Sequence, residues 1–93
     1  MSRKHEYKGR AEWKRWLKDV ENVEGGTISP GGVCQMLGIS RQAVGELINR
    51  EQLEAWVYYE TWLLKRAAYI EISVQSVKEF AERKKRPLLL ELP

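Results

Sequence analysis

Apolar residues recur along the chain with two different rhythms. Trp13, Trp16, Leu17 and Val20 fall at i, i+3, i+4 and i+7, which predicts a helix over residues 11–20 with one apolar stripe. Lys14, Arg15 and Lys18 take its other side. The ten residues before it are polar and charged, and they read as a flexible basic arm. Glu24-Gly25-Gly26 is a break. Ser29-Pro30 then opens a second helix, with serine as cap and proline in the first turn. Its apolar face is Val33, Met36 and Leu37, and Gly38 stands where a left-handed C-terminal cap belongs. Ser40 caps a third helix running to about Arg50, with Val44, Leu47 and Ile48 inward.

From Leu53 the period changes to two. Leu53, Ala55, Val57 and Tyr59 alternate with Glu54, Trp56, Tyr58 and Glu60, and Ala68, Ile70 and Ile72 repeat the pattern. These are two strands of a hairpin. The connector 61–67 contains no Gly, Pro or Asn, so it is either a long hairpin tip or a short helical excursion. Ser73 caps a last helix with Val74, Val77, Phe80 and Ala81 inward, and Pro87 stops it. Residues 11–87 thus form one domain, mainly α with a small β-hairpin (α+β), and residues 88–93 form an apolar tail.

The stretch from Val33 to Ile48 carries the most information. Two short helices pivot on Gly38, and small Cys34 sits four positions earlier, where crossing helices touch. Ile39 plugs the angle between them, and Val44 and Leu47 face the first helix. This is the spacing of a helix-turn-helix, whose second helix can enter a DNA major groove. An ordinary helical hairpin shares the same spacing.

Composition narrows the function classes. The 93 residues include one cysteine and one histidine, which excludes an internal disulfide and a zinc site of Cys and His. No base–nucleophile pair is present, so neither an enzyme nor a cofactor is expected, and no small-molecule substrate is evident. No run approaches the ~20 apolar residues of a membrane span, and a reducing cytoplasm is the expected compartment. Charge is unevenly spread. Residues 1–20 hold seven basic and three acidic side chains, residues 21–60 two and six, and residues 61–93 seven and four. Basic ends suit a polyanionic partner, or serve simply as solvated surface.

The order of elements resembles the excisionase and MerR-like winged helix-turn-helix domains over roughly residues 27–83. The residues that carry the likeness are Ile28-Ser29, Val33 to Leu37, Gly38-Ile39-Ser40-Arg41, Val44, Leu47-Ile48 and Leu53, then Tyr69 to Phe80 as entry to the closing helix. The resemblance implies a winged helix-turn-helix, here with an extra N-terminal helix. It implies sequence-specific binding of double-stranded DNA by a small transcriptional regulator or excisionase-like factor. The helix at about 40–50 would read bases through Ser40, Arg41, Gln42, Glu46 and Asn49, and Gly45 stands outward among them. Arginine pairs bidentately with guanine, and Gln or Asn with adenine, each worth ~1–3 kcal/mol of discrimination. The wing would hold the backbone through Lys65 and Arg66, which are its only cations. Gly45 costs ~1 kcal/mol of helix stability, and Glu46 is acidic. Phosphate contacts therefore fall mainly to Arg3, Lys4 and the cluster Arg83, Lys84, Lys85 and Arg86.

Trp56, Tyr58 and Trp62 leave two possibilities open. They form a partner surface on the hairpin, or they are covered by the N-terminal helix. The first supports a different function: a winged-helix protein–protein module without DNA binding. A homodimer through the wing or the leucine tail is the simplest such partner.

Overall fold

The computed structural model describes residues 2–61 and 66–89, with the side chains of 61 and 66–68 left out. In chain order the elements are β1 (Lys4–Lys8), α1 (Gly9–Glu21), β2 (Thr27–Ile28), α2 (Pro30–Leu37), α3 (Arg41–Asn49), β3 (Ala55–Thr61), β4 (Arg66–Ser73) and α4 (Val74–Arg83). The class is α+β. The four strands form one mixed sheet in the order β1-β3-β4-β2. β3 and β4 pair antiparallel, with Ala55 opposite Ile72 and Tyr58 opposite Tyr69. β1 runs parallel to β3, with His5 opposite Trp56 and Tyr7 opposite Tyr58. No described helix is long and apolar enough to cross a membrane.

The local signals act as their chemistry dictates. The hydroxyls of Ser29, Ser40 and Ser73 accept from the N–H groups of Gly32, Ala43 and Ser76, satisfying one otherwise orphaned donor at the start of each helix. Gly38 ends α2 in the left-handed region at φ 66°, where its N–H donates to Cys34 O at 2.8 Å. α4 stops four residues before Pro87. Lys85 adopts φ 54°, and the N–H of Arg86 closes back on Ala81 O at 2.8 Å.

β3 is covered on both faces, and this gives the molecule two cores. One face turns Ala55, Val57 and Tyr59, with Leu53 just before the strand, against Val33, Met36, Leu37, Val44, Ile48 and Phe80 from α2, α3 and α4. The other turns Trp56 and Tyr58 against Trp16 of α1 and Tyr7 of β1, with Trp13, Val20 and Val23 around them. Trp16 Nε1 donates to the Trp56 carbonyl at 3.1 Å. Tyr7 donates to Asp19 Oδ2 at 2.6 Å, and burial together with that carboxylate pushes its phenol well above the usual range.

One sequence expectation is corrected here, and one open alternative is decided. Residues 4–8 are a strand, not an arm, and Gly9 at φ 72° turns the chain directly into α1. His5 stacks on Trp56 at 4.9 Å and lies 2.9 Å from Glu54 Oε2. Trp56 and Tyr58 are 8% and 6% exposed. They offer no partner surface, because α1 and β1 cover that face. Trp62, the third of that set, lies outside the described residues.

The described start of the tail docks on its own chain. Leu88 packs against the first core, and the Leu89 N–H donates to Met36 O at 2.7 Å. Residues 90–93 lie outside the described set.

Candidate nucleic-acid interface

α3 presents one buried and one exposed side. Val44 and Ile48 are buried, whereas Ser40, Arg41, Gln42, Glu46 and Asn49 are exposed along the outside. The five residues expected to read bases therefore share one accessible stripe. Ser40 is partly committed, since its hydroxyl caps α3. Arg41 makes no hydrogen bond or ion pair among the described residues, so its guanidinium is open to a ligand.

The C-terminal end of α3 gathers cations from distant parts of the chain. Lys4 Nζ donates to Asn49 Oδ1 at 3.0 Å. Arg3 Nη1 donates to Gln52 O at 3.4 Å, and Arg83 Nη2 donates to Gln52 Oε1 at 3.1 Å. Arg50 and Lys84 line the adjacent depression with Leu47 and Phe80. This meeting follows from topology. β1 lies along β3 with Lys4 on the α3 side, and α4 ends beside the turn that leaves α3. That turn is fixed by Glu51 at φ 58°. The Glu51 carboxylate accepts from the Ser2 hydroxyl and the Arg3 N–H, both at 2.7 Å, which hold its pKa below the ordinary value.

The remaining expected backbone contacts divide differently. Arg86 Nη2 donates to Leu37 O at 3.1 Å, so it closes the end of α2 rather than standing free. Lys85 is exposed, one residue beyond the Lys84 cap of α4. Lys65 lies outside the described residues, and Arg66 is described only as part of β4.

No family model, curated protein or solved structure matches the chain. The site is therefore read from its own residues. Sequence patterning pointed to the α3 stripe but missed the part played by Gln52, which joins the two basic ends. Nothing in the sequence marks a glutamine as such a hub.

Two titrating groups lie close to this face. Burial and a hydrogen bond to Glu6 push the Tyr59 phenol up to about 12. Burial raises the Glu71 carboxyl, partly offset by the Thr27 hydroxyl donating to it. Neither is arranged as an acid–base pair with a nucleophile.

Proposed function

We propose that this chain binds double-stranded DNA sequence-specifically, as a small transcriptional regulator or excisionase-like factor. In this reading α2 and α3 are a helix-turn-helix, the β3–β4 hairpin is a wing, and α3 enters the major groove. One observation carries it. The exposed stripe of Arg41, Gln42 and Asn49 runs directly into Lys4, Arg3 and Arg83, so base-reading chemistry and phosphate-neutralising charge are contiguous.

Binding to random duplex DNA at low and raised salt tests the reading. Detectable binding whose logarithm falls steeply with the logarithm of salt is expected. Absence of binding at low salt removes the proposal. In a selection from a random duplex pool, Arg41→Ala is expected to relax preference at one base pair, by roughly 1–3 kcal/mol. Lys84→Ala is expected to weaken binding evenly across sequences.

A protein partner is the second reading, and the observation favouring it is the outer edge of β4. β2 covers only Ile72 and Ser73, so Tyr69 to Glu71 have no outer neighbour among the described residues. Tyr69 is 53% exposed there, and Leu17, one turn beyond Trp13 on α1, is 45% exposed. Open strand edges pair readily with another strand, most simply in a second copy. Sedimentation over a concentration series should show a species of twice the 10.9 kDa chain mass, which Tyr69→Lys should shift toward monomer. A monomer at every concentration removes this second reading.

A further inference from the structure

Gly45 has no structural reason to be glycine. It lies in the middle of α3 with an ordinary negative φ, and a Cβ built there meets nothing within 4 Å among the described residues. Gly32 and Gly38 differ. A side chain at Gly32 would run into Ile28, and Gly38 holds a left-handed φ. Alanine at position 45 would fit and would favour the helix. The absent side chain therefore serves something outside the chain, or nothing.

The surroundings of Gly45 say what that is. Two depressions of about 370 and 210 Å³ share Gly45, Ile48 and Ile70, and so join into one groove between α3 and the sheet. Its floor is apolar: Ile48, Ile70 and Val57. Arg41 and Gln42 stand at one end, Lys4 and Asn49 at the other. Among the described residues no carboxylate lines either depression, and the one beside it, Glu6, is hydrogen-bonded to the Tyr59 phenol, although residues 21–60 carry six acidic side chains against two basic. The free Arg41 guanidinium and the unused N–H groups of Lys4 are donors for anions. From position 41 to position 49 a helix rises about 12 Å, which matches several nucleotides of one strand at about 3.4 Å of duplex axis each.

We infer that Gly45 is a close-approach point, kept bare so that one sugar–phosphate strand of duplex DNA lies in this groove. The phosphates meet Lys4 at one end of the groove and the sugars cover the apolar floor, while Arg41 at the other end reaches past the strand to the bases. A side chain at position 45 would stand between the strand and α3. This assignment rests on the DNA reading above and adds to it a residue that acts by having no side chain.

The test separates the two. Parent, Gly45→Ala and Gly45→Leu are compared for thermal stability and for binding to a short random-sequence duplex at low salt. Gly45→Ala should melt about 4 °C higher or more, yet bind roughly threefold more weakly. Gly45→Leu should remain folded and bind at least roughly tenfold more weakly. Variants that bind as tightly as a binding parent overturn the assignment while leaving the DNA reading intact. A lower melting temperature for Gly45→Ala also overturns it, because the glycine would then serve the fold. A parent that does not bind removes the DNA reading itself.

Discussion

A chain lacking residues 2–8 should melt at least about 10 °C below the intact protein. The segment supplies Tyr7, which is 5% exposed, and its hydrogen bond to Asp19. It also supplies the His5 ring on Trp56 and the whole parallel ladder along β3. Burying the tyrosine alone contributes roughly 2–3 kcal/mol, and a domain of this size shifts about 4–8 °C per kcal/mol. Thermal unfolding followed by circular dichroism measures the difference. A truncated chain that melts with the parent would mean that these residues are a loose arm after all. The deletion also removes Arg3 and Lys4, so the proposed DNA binding should fall with it.

Trp16→Ala should destabilise the fold by roughly 3–5 kcal/mol in urea denaturation. That is a large share of the roughly 5–14 kcal/mol expected for a domain of this length. The indole is 5% exposed and stacks on Trp13 at 5.3 Å. Its loss leaves a cavity between α1 and the sheet, and it strips the Trp56 carbonyl of its side-chain donor. Trp16→Phe fills most of the volume without restoring the N–H, so its loss should be visibly smaller. A Trp16→Ala loss below about 1 kcal/mol would show that α1 does not depend on this contact.

Both variants probe the core between α1 and the sheet, where sequence reading went furthest astray. Its parts were visible singly. The stripe of Trp13 and Trp16 predicted a helix, and the alternation from Leu53 to Glu60 predicted a strand. The missing part was β1. Only Tyr7 of its five residues is buried, and four of the five carry polar or charged side chains. Such a strand has almost no hydrophobic period of its own. What makes it a strand is the edge of β3, some 50 residues away in the chain. Without β1, Trp56 and Tyr58 look like exposed aromatics on a hairpin. With it, both faces of β3 are covered, and Tyr69 at the edge of β4 is the aromatic left exposed among the described residues.

The candidate site divides in the same way. Arg41, Gln42, Glu46 and Asn49 follow helical spacing from Ser40, so their common face was legible. The joining of Lys4 to Asn49, and of Arg3 and Arg83 to Gln52, was not, because each contact spans about 30–50 residues.

By itself the sequence determined where α2, α3 and α4 start and where α2 stops, since a capping serine or a left-handed glycine acts on backbone groups three or four residues away. It also determined which face of α2, α3, α4 and β3 turns to the first core, since apolar period is a local property. Tertiary structure alone decided that the first residues form a strand, that two aromatics are buried rather than exposed, and that the basic ends meet at α3. Those outcomes depend on pairings between distant segments, and a strand edge or a charge carries no local mark of its partner.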